Sequence, residues 1–238
     1  MASSNGKQIY QSLITENSSN CDFTYIKLQN LTENSVREAV LSIADLQVKF
    51  DTAVLFLNVN QLVPTMRSRG HSHKNLKHKM WRIQRTGSLI ERYEKLFWCF
   101  FMTGVRNVII INHLYRNINF SCNCENHVLF NIMSIKRLFN RIERALLPLL
   151  AHKNFNYYII KQKEILRKSL MENYDKKAKL DFLYKKLLNS DDGLHFTPRA
   201  ALNFARHLQY RIDKMHTREA AAKQSSNQGM VITKTTTN

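Results

Sequence analysis

The chain has 238 residues, of which 44% are hydrophobic, with 13 Phe and 9 Tyr. That supply of core-forming side chains excludes a wholly disordered protein. Thirty-six Lys and Arg against 18 Asp and Glu give a formal net charge of +18. The charge is uneven. Residues 1–65 hold four basic and six acidic side chains, whereas residues 66–213 hold 28 basic and 11 acidic. A body this cationic attracts polyanions. The longest apolar runs, Leu96–Met102 and Val108–Ile111, are far short of the roughly 20 residues that span a bilayer. MASSNGKQIYQS offers no apolar h-region, so no signal peptide is expected and an intracellular location is. Cys21, Cys99, Cys122 and Cys124 are then expected to be free thiols. Three Pro and six Gly exclude collagen-like and linker-rich chains.

In chain order, Phe23–Leu28 (FTYIKL) reads as a first strand and Ser35–Val48 as an amphipathic helix. Ala53–Val59 (AVLFLNV) reads as a second strand. The cationic stretch 66–82 is expected to be a loop leading into a helix over Ile83–Thr103, with Gly104 as its stop. Asn107–Asn112 (NVIIIN) is a strand, Asn131–Ala151 a helix, and Phe155–Ile160 (FNYYII) a strand. Lys161–Leu188 is a basic amphipathic helix. The last helix starts at Pro198, behind Thr197 as N-cap, and runs to about Lys214. Strands apolar along their whole length belong to parallel sheets covered on both faces. The expectation is therefore an α/β fold: a three-layer α/β/α sandwich over residues 1–213. Residues 214–238 are expected to add a helical turn through REAAAK and then a disordered tail from Ser225.

The most specific string is Asp192-Gly193-Leu194-His195-Phe196-Thr197-Pro198, at the head of the last helix. An Asp three residues before a His can orient the imidazole and support it when it takes a proton. The string DGLHFTPRAALNFARHLQYRI resembles the C-terminal block of SGNH/GDSL-type hydrolases. The resemblance implies a flavodoxin-like parallel sheet, with the first strand of that fold absent ahead of Met1. It also implies a Ser-His-Asp esterase acting on a small carboxylic ester without a cofactor. Carried over block by block, Ser4 matches the nucleophile and Asp192 and His195 complete the triad. The backbone N–H of Ser4 and the amide of Asn60, in Asn58-Val59-Asn60-Gln61, match oxyanion donors. The family's second block supplies a Gly that is missing here; Asn34 or Asn30 would have to adopt the left-handed backbone in its place.

A second function class rests on the charge. Arg67, Arg69, Lys74, Lys77, Lys79 and Arg82 surround Trp81, and no acid occurs between Asp51 and Glu91. Cations interleaved with an aromatic ring can follow a phosphate backbone and stack a base. The alternative is thus an SGNH-like domain that binds RNA or DNA without catalysis. Cys122, Cys124, His113 and His127 are metal-ligand types, but their spacing matches no closed zinc pattern, and no metal site is expected.

Overall fold

The computed structural model describes residues 4–16, 21–26, 28, 32–46, 48–56, 86–112, 140–170, 187 and 196–229. At 4–5, 86–88, 162–163 and 222–229 the backbone alone is described. In chain order the elements are α1 (Ser4–Thr15), α2 (Glu33–Asp45), β1 (Thr52–Phe56), α3 (Thr86–Met102) and β2 (Asn107–Ile111). Helical residues 140–152 form α4. β3 (Asn156–Ile160), α5 (Gln162–Leu170) and α6 (Pro198–Gly229) follow.

The β-branched runs pair as expected of a buried parallel sheet. The order is β1-β2-β3, all parallel, with Thr52 opposite Asn107 and Asn107 opposite Asn156. All five residues of the central strand β2 are buried. Helices cover the sheet around β1: Thr52, Val54 and Phe56 line a cavity with residues of α1 and α6, and Thr52, Ala53 and Val54 line a smaller one with Ile43 of α2 and Phe100 of α3. The chain is therefore an α/β domain with a small, three-stranded parallel sheet among its described residues.

The helices α3 and α4, which lead into β2 and β3, end by the same device. After α3, Val105 N–H donates to Phe100 O at 2.9 Å and Gly104 N–H to Phe101 O at 3.1 Å. After α4, Phe155 N–H donates to Leu150 O at 3.2 Å and Asn154 N–H to Ala151 O at 3.0 Å. Both are Schellman closures, which need a left-handed residue after the helix. Gly104 has φ 80° and Asn154 φ 55°. Val105 and Phe155 bury their side chains just behind the turn, where this motif places an apolar contact.

Three expectations need correction. Phe23–Ile26 does not join the sheet as a strand: residues 21–26 lie outside regular secondary structure. Phe23 O instead accepts from Tyr10 Oη at 3.4 Å, and Tyr25 packs on Tyr10 with ring centroids 5.3 Å apart. This segment is anchored to α1. The last helix does not stop a turn beyond Lys214. It runs 32 residues to Gly229, so Ser225 lies inside it and no break falls at 213/214. Ala220, Ala221 and Ala222 are strong helix formers, which favours this extension. The helix Ser35–Val48 begins earlier, at Glu33, because Thr32 is its N-cap and accepts from Ser35 N–H at 3.1 Å, and it ends sooner, at Asp45, where Leu46 turns to extended backbone.

Candidate functional site

α6 determines where the Asp192–Pro198 string can act. Its second half is tied to the amino-terminal ends of the strands. His216 Nε2 lies 2.9 Å from Thr52 Oγ1, at the start of β1. Glu219 accepts from Arg106 Nη1 at 2.8 Å and from Asn107 Nδ2 at 3.2 Å, at the start of β2. From His216 back to Pro198 is about 27 Å of helix at 1.5 Å per residue. The head of α6 therefore lies away from the amino edge of the sheet. It is anchored there: Thr197 Oγ1 accepts from Ala200 N–H at 3.3 Å, and Thr197 N–H donates to Leu187 O at 2.9 Å. Phe196, next to His195 in sequence, is buried and stacked on Phe204 with centroids 6.0 Å apart. Asp192 and His195 themselves lie outside the described residues.

Ser4 is the first residue of α1. α1 packs against α6, and Glu16, just past its end, accepts from Arg206 Nε at 2.8 Å and Nη2 at 2.7 Å. Between the two helices and β1 runs a cavity of about 430 Å³. Ile9, Leu13, Leu208 and Ile212 give it apolar walls and Gly6 lies along it, while Asp22, Lys49, Asp51 and the His216–Thr52 pair add a polar side. Asn34 is the second residue of α2 and exposed. It is helical, not left-handed, so it does not take the backbone conformation that a replacement for the second-block Gly requires. Asn60, Asn30 and the basic set Arg67, Arg69, Lys74, Lys77, Lys79, Trp81 and Arg82 lie outside the described residues, as do Cys122, Cys124, His113 and His127. No group of three His, Cys, Asp or Glu among the described residues is placed to hold a metal ion. No helix among them is long and apolar enough to cross a membrane.

The structure brings together one charged cluster that the sequence reading missed. Glu164, in the first turn of α5, has a side chain only 16% exposed. Its Oε1 accepts from His207 Nε2 at 2.8 Å, Arg211 Nη2 at 2.6 Å and Arg211 Nε at 3.1 Å, all on α6. Tyr158 Oη of β3 donates to both carboxylate oxygens, at 3.1 and 3.0 Å. Burial works to raise the Glu164 pKa, but the donors from His207, Arg211 and Tyr158 outweigh it and hold it down at about 2. Burial and the bond to that carboxylate push the Tyr158 phenol upward. The Arg211 guanidinium also lies over the Tyr158 ring, 4.2 Å from its centroid. This arrangement has the composition of an acid–base site. Yet it is enclosed between α5, α6 and β3, and every donor is spent on one carboxylate, so what it performs is the locking of α5 to α6. The sequence carried only the amphipathic spacing of His207 and Arg211, four residues apart on one helix face.

No family model matches the chain, and neither a curated protein nor a solved structure matches it.

Proposed function

We propose that the chain is an SGNH/GDSL-like hydrolase of carboxylic esters, with Ser4 as nucleophile, His195 as general base and Asp192 as its orienting carboxylate. The observation that carries this reading is the course of α6. The helix that follows Asp192 and His195 crosses the sheet from its head to the amino edge, where His216 and Glu219 tie it down. Its head then lies toward the carboxyl ends of the strands, the side on which parallel α/β sheets gather ligands. α1, which opens with Ser4, packs on that same helix and lines a cavity with it. In the flavodoxin-like arrangement that this reading supposes, Ser4 Oγ attacks the ester carbonyl as His195 takes its proton. The alcohol leaves with that proton, and water, activated by His195, then releases the acid. Ser4 N–H and the Asn60 amide hold the oxyanion; each such donor contributes about 3–4 kcal/mol in the transition state. The reading is tested with short p-nitrophenyl esters. Turnover above background that vanishes in Ser4→Ala and in His195→Ala supports it; a wild-type protein without turnover refutes it.

A second reading, binding of RNA or DNA through basic surface, is favoured by the outer side of α4. Arg141 and Arg144 are exposed there, in a region, 66–213, with 28 basic and 11 acidic residues. Neither arginine forms an ion pair among the described residues. Affinity for nucleic acid that falls steeply as salt rises is the signature of such a surface.

A further inference from the structure

The last turns of α3 and α4 meet at a corner whose exposed side chains are of an unusual kind. Trp98 is 46% exposed, Phe101 47% and Met102 74%. Trp98 and Phe101 stand edge to face, with centroids 5.9 Å apart and planes at 88°. Lys153, just past α4, places its Nζ 2.8 Å from the Trp98 ring centroid and 5.5 Å from that of Phe101. Single exposed apolar residues are ordinary on a protein surface, but two aromatics and a methionine side by side are not.

The backbone holds this corner in place. Phe101 O closes the turn at Gly104, and Ala151 O closes the turn at Asn154, so both helices end in fixed closures within a few residues of the rings and of Lys153. Phe97 of α3 packs on Phe155 behind α4, with centroids 6.3 Å apart, joining the two helix ends from below. The rings are thus presented on rigid elements, which lowers the entropy lost when something stacks on them.

Charge identifies the partner. Arg141, Arg144 and His152 fall on one exposed stripe of α4, at spacings of three or four residues or a multiple of a turn. From Arg141 to His152 that stripe is about 17 Å long, and Lys153 follows it on the side of α4 that faces α3. The one acid on α4, Glu143, is turned inward and paired with Lys161 at 3.4 Å. On α3, Glu94 is half-buried one turn before Trp98, and the exposed Glu91 lies two turns before it, away from Lys153. Exposed arginines on the outer side of α4 and a lysine set against paired aromatic rings, on a chain of net charge +18, are complementary to a strand of phosphates with unstacked bases.

We propose that the α3–α4 corner is a stacking platform for single-stranded nucleic acid. Bases stack on Trp98 and Phe101, and phosphates meet Lys153, Arg144 and Arg141. The proposal rests on the second reading above, not on the hydrolase reading, and it assigns that binding to a face separate from the basic run 67–82.

The test is the affinity of the full chain for a fluorescein-labelled oligo(U) of about 15 nucleotides, within the usual range of single-strand sites. Anisotropy is read over a salt series. Trp98→Ala is expected to weaken binding about tenfold or more, and Trp98→Phe to restore most of it. Lys153→Gln is expected to make the slope of log affinity against log salt shallower by about 0.7. Trp98 is exposed, so these variants keep the fold, which far-UV circular dichroism checks. Tight, salt-dependent binding that is the same in wild type and Trp98→Ala overturns the platform and leaves the nucleic-acid reading standing. No binding even at low salt overturns both. Self-association that Trp98→Ala abolishes, with oligo(U) affinity unchanged, overturns the platform in favour of a protein interface.

Discussion

The two helical sides of the sheet solve the packing problem by different means. On the α5–α6 side a carboxylate is taken largely out of water, and three side chains from two other elements are spent on satisfying it. On the α2–α3 side the contact is almost wholly apolar. Val36, Ala39 and Ile43 of α2 and Tyr93, Leu96, Phe97 and Phe100 of α3 are buried. Its carboxylate stays at the surface: Glu33, 60% exposed, meets Lys95 and the half-buried Arg92, and the lysine hydrogen bond lowers its pKa. A buried ionic hub demands one geometry, because any slip leaves a charge unpaired in a low dielectric. An apolar contact is more tolerant of small shifts. The side that must hold the head of α6 is thus the one with a rigid polar lock.

The largest expected effect breaks that side at its apolar base. Phe204→Ala removes the stacking partner of Phe196 from a fully buried position, and chemical denaturation should show a loss of about 3–5 kcal/mol. Next comes the lock itself. Glu164→Gln leaves the Arg211 and His207 donors facing a neutral amide, and about 2 kcal/mol should be lost at neutral pH, allowing for the solvent that screens the site. The pH dependence has a definite sign. Because folding holds the Glu164 pKa at about 2, below its ordinary value of 4.5, its contribution is complete above about pH 5. It is lost as the pH falls from there through 2. Glu164→Gln should flatten the stability profile in that window, and an unchanged profile would show that the hub does not carry charge-dependent stability.

Smaller effects sharpen the contrast. Gly104→Ala forces a side chain onto a φ of 80° although nothing lies within 4 Å of the added Cβ. The cost should be about 1 kcal/mol, entirely from backbone conformation. Asn154→Gly, at the matching turn, should change stability by less than that, since Asn already tolerates the left-handed region. Smallest of all is Arg206→Ala. The Arg206–Glu16 pair, with side chains 58% and 36% exposed, should contribute less than about 1 kcal/mol, and less still in high salt.

What the sequence revealed and what it hid follow the same division between local and distant causes. Gly104 was legible as a helix stop because the residue type itself declares the left-handed position, whereas Asn154 does the same work with a residue common in any turn. β2 was legible because a strand buried on both faces is apolar throughout, and β1 and β3 because Val, Leu, Phe, Tyr and Ile dominate them although β3 begins exposed. The same apolar, β-branched signal misled at Phe23–Ile26, where Tyr10 and the α1 surface compete with sheet pairing for the segment. Glu164 lies 43 residues from His207 in sequence, and no short-range pattern links them. Of the hydrolase set, Ser4 falls at the start of α1, and Asp192 and His195 lie just ahead of the anchored Phe196. Asn34 was proposed from the lack of a Gly alone, and the cap at Thr32 draws it into α2.

The central claim is the chemistry at the head of α6, and ester turnover tests it most directly. Hydrolysis of p-nitrophenyl acetate is compared between the wild-type chain and His195→Ala, with circular dichroism confirming that both are folded. Turnover in the wild type that falls to background in His195→Ala is the expected result. Equal rates in the two proteins, or none in the wild type, would contradict it.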